Sequence, residues 1–496
     1  MIIRQRLSSN IIANVLQAIV SAALLFALYR YINLALGVEQ LGVWSVVLAT
    51  VSASRIVDLG LSAGVIRFVA RDCARNDFVR AGKIVDTVVF TLMIIVGIIA
   101  SLLYPLLAKL LPHLFQTYLL EQALAILPFA LISLWLAISA AVFQGALDGC
   151  QRMDLRAFLV VTGQGLLLTL SIWLIPQYGL VGLAWAQIGQ SAFLMVGGRF
   201  LLCRTLPTLS FLPRHWNIDV LREMLGYGAN LQVATICILL FDPVTKLLMA
   251  HFGGPIAVGY FEMANQVVLK ARALIVNANQ AIVPYVTVLA ETTPTKLTVF
   301  YKKNIRALMV VALPCFSVLI IFSGAVSWLL IGSYQPEFVL MLGILCVAWM
   351  GNSFSVPAYF INMGTGRVGW NTLSHLLMGM LNIFLGWMFG QMYGAGGVVF
   401  GYVASLVLGS LLLVLIFQHQ NTLNWRSTLA KHDIAIVIIA IGMGFYGLII
   451  PPWSFNSAPI IVALTLPPLG FLSLAAWLHP MRQQLMTKVR RVETKC

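Results

Sequence analysis

The sequence predicts an all-α polytopic membrane protein of about fourteen transmembrane helices, in two parallel six-helix lobes plus two C-terminal helices. Three observations predict it: composition, the spacing of apolar runs, and motifs that recur at a fixed offset. Of 496 residues, 60% are hydrophobic and only 9% charged, with a mean hydropathy of +0.94. A water-soluble domain carries about 25% charged residues.

The apolar runs each approach the ~20 residues that cross the hydrocarbon core. They fall at 11–33, 41–66, 84–107, 122–147, 156–176, 178–203, 225–250, 256–286, 304–331, 338–363, 370–392, 394–418, 433–451 and 458–479. The opening MIIRQRLSSN leads directly into the first run with no small-residue cleavage site, which reads as a retained helix and not a signal peptide.

The formal net charge of +15 is explained by its distribution. With the N-terminus cytoplasmic, 25 of the 31 Lys and Arg fall in cytoplasmic segments, and only Lys109 falls in an outside loop. The positive-inside rule then predicts both termini in the cytoplasm. The basic excess therefore reads as topology, not as a nucleic-acid surface. The 7 cysteines show neither CxxC nor Cys/His ligand spacing, so neither a disulfide framework nor a metal site is expected.

The helices repeat. LGVEQLGVW (36–44) matches GGPIAVGYF (253–261), aligning Gly37 with Gly254 and Gly42 with Gly259; YGLVG (178–182) matches YGAGG (393–397). Asn14 with Gln17 likewise corresponds to Asn230 with Gln232, all at offsets of 215–217 residues. Six helices per unit, an even number, give a parallel repeat about an axis along the membrane normal. The predicted organisation is an N-lobe at 1–204, a cytoplasmic linker at 205–224, a C-lobe at 225–420, and two extra helices with a basic tail at 421–496. The YGxxG stretches read as tight connections.

The second predicted span carries Arg55 and Asp58 in VSASRIVDLGL. A guanidinium at mid-bilayer costs about 2.5–3.5 kcal/mol on insertion scales. The repeat maps Arg55 onto Arg272 and Arg30 onto Lys246, and Lys270 stands beside Arg272. Such cations face a protein interior or a water-filled cavity, so one reading is a cationic chamber between two lobes that receives an anionic group. The other is local neutralisation, of Arg55 by Asp58 at i+3 and of Lys246 by Asp242 at i−4; Arg30 and Lys246 also have the reach to extend to the outer interface. Arg272 and Lys270 have no acid within four residues. Asp58, Asp242 and Glu262 read as the carboxylates well inside apolar stretches, and as candidates for coupling to a proton or sodium gradient. Asn265, Gln266, Asn277 and Asn279 make the eighth span the most polar, suited either to sugar hydroxyls or to joining helices. The histidines fall at loops or span ends and suggest no catalytic group. No GxxxxGK[ST] motif is present and no cofactor is expected.

The helix plan and the stretch NIIANVLQ…LGVEQLGVWSVVLATVSASRIVDLGLSAGVIRFVAR resemble the multidrug/oligosaccharidyl-lipid/polysaccharide (MOP) exporter superfamily. Within it they resemble the Wzx-type polysaccharide transporter branch. That resemblance implies a flippase, not an enzyme, moving an undecaprenyl-pyrophosphate-linked oligosaccharide across the bacterial inner membrane for O-antigen, capsule or exopolysaccharide. It implies Arg55 and Arg272 on the pyrophosphate, with Lys270, Arg30 and Lys246 extending the positive surface. Membrane lipids and a polymerase or other assembly proteins are the implied partners. Alternatives are a MATE-like drug antiporter, whose cationic substrates favour an acidic chamber, a peptidoglycan-precursor flippase, whose Ser-Arg-x-x-Gly-x-x-Arg-Asp pattern is missing here, and a scaffold.

Overall fold

The computed structural model describes residues 2–52, 61–207, 209–212, 215–280, 286, 289–290, 292–293, 295–423, 435, 437–440 and 442. Arg55 and Asp58 lie outside these residues, as do most of the last two predicted spans. Among the described residues the chain is helical, with no strand. Hydrocarbon offers the backbone no hydrogen-bonding partner, so apolar runs of this length satisfy their peptide groups internally.

The helices are α1 (Ile2–Leu36), α2 (Val38–Ser52), α3 (Leu61–Ala74), α4 (Phe78–Leu110), α5 (Thr117–Gly149), α6 (Met153–Thr205), α7 (Ile218–Gln280), α8 (Thr295–Ile321), α9 (Ser323–Ile331), α10 (Pro336–Ser353), α11 (Val356–Gly364) and α12 (Gly369–Gln420). Asp77 caps α4, its side chain accepting from the Arg80 amide at 2.9 Å.

Three helices are too long for one crossing, and each breaks at a glycine with positive φ: Gly179 in α6 (57°), Gly254 in α7 (70°) and Gly394 in α12 (61°). Residues with a Cβ rarely adopt that conformation. At two of these breaks the chain doubles back. In α6, Gly163 faces Leu194, Gly189 faces Leu170, and Gly182 abuts the Leu174 carbonyl. In α12, Gly409 faces Met378, Gly401 abuts Gly386, and Gly397 abuts the Phe389 carbonyl. The YGxxG stretches are therefore the tips of tight helical hairpins, and each hairpin supplies two of the predicted spans.

These contacts carry the repeat into three dimensions. The contact of Gly182 with Leu174 recurs, at the same offset, as Gly397 with Phe389. The other matched pair is reciprocal: a Cβ on Gly42 would strike the Pro255 carbonyl, and one on Gly259 the Val38 carbonyl. Each partner touches the other's equivalent, as two-fold-related surfaces do.

The chain forms two compact units, residues 1–259 and 260–496. In the first, α5 packs against α2, α3, α4 and α6, and α1 lies on α6. The start of α7 belongs to this unit and is tied to it by ions. Glu223 accepts from Arg71 at 2.7 Å and from Arg80 at 2.9 Å, and Arg71 also bonds Asp72, which is buried. Ser210, Phe211, Trp216 and Asn217 are strapped to the same unit. Arg199, buried 2.8 Å from Asp86, donates to the carbonyls of Phe211 and Ser210. Trp216 donates to the Thr91 hydroxyl at 3.1 Å, and the Asn217 amide to that of Thr87 at 3.2 Å. Asp86, near the start of the predicted span 84–107, is a further buried carboxylate beside the three that the sequence reading singled out. In the second unit, α10 packs against α8, α9 and α12, and α11 against α8 and α12. Large apolar side chains such as Leu102, Phe158, Trp173, Met380 and Phe384 point outward, as a lipid-facing surface requires.

Two expectations follow. Gly42→Leu and Gly259→Leu should each destabilise the protein by about 1–3 kcal/mol, because the neighbour is backbone and has no room to yield. Gly165→Ala, with nothing within 4 Å of the new Cβ, should be neutral or slightly stabilising; thermal unfolding followed by size exclusion separates the two classes. The second concerns Glu223, whose carboxyl is held below the usual range by the hydrogen bond from Arg71. A depressed carboxylate adds stability above its unfolded pKa and loses it as pH falls through its folded value. Glu223→Gln should therefore be less stable than wild type at neutral pH and flatter on the acid limb. The effect is small, because the pair is partly exposed.

Candidate functional site

Arg272 sits on the second stretch of α7, in the unit spanning 260–496. Its guanidinium lies over the ring of Trp349 from α10, 4.2 Å from the centroid. Tyr359 from α11, with His375 and Tyr402 from the two arms of α12, lie within its electrostatic reach. Tyr402 is braced edge-on by Phe261, 5.7 Å between centroids.

Local chemistry fixes the aromatic wall. Buried Asn371 donates to the Tyr359 carbonyl at 3.0 Å and accepts from Asn362 at 3.0 Å. This joins the end of α11 to the first turn of α12. His375 stands one turn on from Asn371, and its ring meets that of Tyr359 edge-on, 5.6 Å between centroids.

The electrostatics of this cluster are unusual. Among the described residues, no carboxylate lies within ion-pair distance of Arg272. Its Nε is buried with no hydrogen-bond partner, and so is the indole Nε1 of Trp349. A buried N–H left unpaired costs about 1–3 kcal/mol. A ring face attracts the cation by about 0.5–2 kcal/mol without neutralising it. The ring meets the guanidinium carbon, and the N–H groups around it are the part that grips phosphate or carboxylate through parallel bonds. The arrangement is that of an anion receptor.

The other predicted residues are placed differently. Lys246 is buried and lies 2.8 Å from Asp242, so the local pairing is realised there. Arg30 is half-buried near the end of α1. Lys270 is half-buried, with no carboxylate at ion-pair distance among the described residues. Glu262 is buried and accepts from Gln266 at 3.0 Å. Asn265 is buried, and the side chain of Asn277 lies outside the described residues. Asn279 donates to the Ile275 carbonyl and accepts from Asn304, each at 3.0 Å, so its amide joins α7 to α8. The sequence reading missed Trp349, Tyr359 and His375. It placed the histidines at loops and span ends; His375, near the start of α12, meets the ring of Tyr359 there.

Trp349→Ala should leave the guanidinium over a void and cost about 3–5 kcal/mol. Trp349→Phe keeps a ring and should cost much less. Equal unfolding temperatures for the two variants would remove the stacked ring from the account.

The fold and the cluster can be set beside known proteins. A profile of the family described as polysaccharide biosynthesis protein matches residues 35–339. No curated relative matches the chain by sequence. Among solved structures, it resembles an inward-facing multidrug resistance MATE family transporter of the MOP superfamily, with a TM-score of 0.71 and 17% identity, covering 82% of this chain and 98% of that one. It also resembles the lipid II flippase MurJ in an inward closed conformation, with a TM-score of 0.71 and 12% identity, covering 94% and 97%. An outward-facing MATE transporter of the same superfamily gives a TM-score of 0.60 and 17% identity, covering 83% and 95%. Those structures are transporters and a flippase rather than enzymes. With more than half of its length matched, the chain belongs to the polysaccharide biosynthesis protein family, as a multi-pass membrane protein with the MOP transporter fold.

Proposed function

We propose that the protein is a flippase that moves an undecaprenyl-pyrophosphate-linked oligosaccharide from the cytoplasmic to the outer leaflet of the bacterial inner membrane. Its two lobes, 1–204 and 225–420, would provide alternating access, with both termini in the cytoplasm and 421–496 appended. One observation carries this reading: Arg272 is a half-buried cation over the ring of Trp349, with its buried Nε unpartnered and no carboxylate in contact among the described residues. A pyrophosphate supplies the missing acceptors and charge. The polar headgroup cannot cross hydrocarbon unaided, and a site that replaces its water lowers that barrier. Arg55, the repeat partner of Arg272, is the proposed second contact, and Lys270 and Arg30 are proposed to extend the positive surface. Lys246 reaches any substrate already paired with Asp242. Glu262, Asp242 and Asp58 remain the proposed acids for coupling to an ion gradient. Asn265, Gln266 and Asn277 are the proposed sugar contacts. A polymerase or other assembly protein is the proposed partner.

A drug antiporter is disfavoured by the same charge, since a cationic substrate would be repelled by Arg272. A peptidoglycan-precursor flippase shares the pyrophosphate chemistry and is separated from the main reading by substrate.

The test is translocation in proteoliposomes of three fluorescent substrates: a prenyl-pyrophosphate oligosaccharide, a peptidoglycan precursor and a cationic dye. Losing one charge-assisted contact worth about 1.5–3 kcal/mol should slow Arg272→Gln roughly 10–100-fold on the oligosaccharide. Arg272→Lys, which keeps the charge and loses the fork, should fall between. Movement of the dye alone, or oligosaccharide transport that Arg272→Gln leaves unchanged, would overturn the proposal.

A further inference from the structure

The stretch between α6 and α7 reads from the sequence as a polar linker, yet its described residues divide into two kinds. Leu206 and Leu209 are buried, while Phe211, Leu212, Trp216 and, at the start of α7, Ile218 are each about half exposed or more. The stretch has a covered side and an open apolar one. Hydrogen bonds fix where it lies. Arg199 of α6 holds the carbonyls of Ser210 and Phe211, and the Trp216 indole donates to Thr91 of α4. Thr91 stands seven residues beyond Ile84, where the apolar run begins, or about 10 Å along the helix. Phe90 and Ile94 flank Thr91, Val196 and Phe200 flank Arg199, and all four are exposed as part of the lipid-facing surface. The open side of the linker therefore continues that surface from two helices of the first compact unit. Charge follows the same face. From 199 to 223 the sequence holds arginines at 199, 204, 214 and 222 against two acids, Asp219 and Glu223. Glu223 is engaged by Arg71 and Arg80, and Arg199 by Asp86. Arg204 and Arg222 are exposed, and Arg204 lies over the Phe200 ring, 4.3 Å from its centroid.

We propose that this linker is an interfacial anchor for anionic phospholipid, with Phe211, Leu212, Trp216 and Ile218 set into the headgroup–acyl boundary and Arg204 and Arg222 on the phosphates. The proposal is separate from the transport reading and does not rest on Arg272. An indole with its N–H bonded and its ring open suits that boundary, where one end of the side chain meets polar groups and the other meets hydrocarbon. Apolar side chains left facing water would form a patch that a linker in the aqueous phase has no use for. Buried in the leaflet they supply binding that is indifferent to headgroup, and the arginines supply the preference for negative charge. Arg204 is placed for this, since its stem runs beside an exposed ring while its guanidinium keeps to the polar side. A protein docked on the same face would have to displace the lipid that α4 and α6 already meet on either side. Lipid is therefore the occupant that the surface favours.

A photoreactive benzophenone amino acid in place of Leu212 tests this in the full-length protein, in nanodiscs of equal parts phosphatidylglycerol and phosphatidylcholine. Mass spectrometry after irradiation reads which lipid is bonded to position 212. A benzophenone facing water gives no lipid adduct. The anchor predicts lipid adducts, with phosphatidylglycerol exceeding phosphatidylcholine roughly 3-fold or more. Arg204→Gln combined with Arg222→Gln should keep the adducts and bring that ratio back towards one; both sites are exposed, so the fold is little affected. The same label in place of Phe211 repeats the reading should the first labelled protein fail to fold. Folded protein without lipid adducts at either position would overturn the anchor. Adducts in the proportion of the lipids supplied, or an enrichment that the double variant leaves unchanged, would overturn the anionic-lipid site and leave a strap that merely faces lipid.

Discussion

A chain in hydrocarbon has to satisfy every peptide group and every charge from its own atoms, because no water is at hand to do so. The first half of that constraint makes nearly all of the described residues helix, and confines the breaks in the longest helices among them to residues without a Cβ. Gly179, Gly254 and Gly394 turn the chain where a side chain could not. Gly42, Gly182, Gly259 and Gly397 then let backbone approach backbone at carbonyl distance. Close packing of this kind replaces the hydrophobic driving force, which is weak between helices already in an apolar solvent.

The second half sorts the cations. Arg199 is buried against Asp86 and caps two carbonyls of the segment that leads towards α7. Lys246 is paired with Asp242. Arg71 and Arg80 share Glu223 near the ends of α3 and α4. Each of these arrangements stabilises the fold and leaves little charge for a ligand. Arg272 differs in kind: it is given a ring face in place of a counter-ion, and two buried donors in its neighbourhood have no acceptor. A fold under selection for stability alone gains nothing from that cost. A receptor for an anion gains its specificity from it.

How much of this was legible in the sequence depends on the range of the interaction. Apolar run length is local, so α4, α5 and the hairpins of α6 and α12 stand where the runs predict. The repeat is legible because glycine is required at both copies of a turn, and Gly37, Gly179, Gly254 and Gly394 all take positive φ. The i, i+4 pair of Asp242 and Lys246 is legible for the same reason. Arg272 was reached by mapping Arg55 through the repeat, although its environment was not. Trp349 and His375 come from helices far along the chain, and nothing near either residue marks it as a neighbour of Arg272. Asp86 has Lys83 three residues before it on the same helix, and yet it is Arg199 that reaches it, from another helix. Asn279 shows the converse, a residue whose type suits sugar and whose amide instead bridges to Asn304.

The central claim is that Arg272 receives an anionic headgroup. A cryo-electron microscopy map of the protein in nanodiscs with farnesyl pyrophosphate tests it most directly. The account predicts phosphate density within hydrogen-bond distance of the Arg272 N–H edge, with the guanidinium still stacked on Trp349. Phosphate bound elsewhere, with the Arg272 donors still unpartnered, would contradict it.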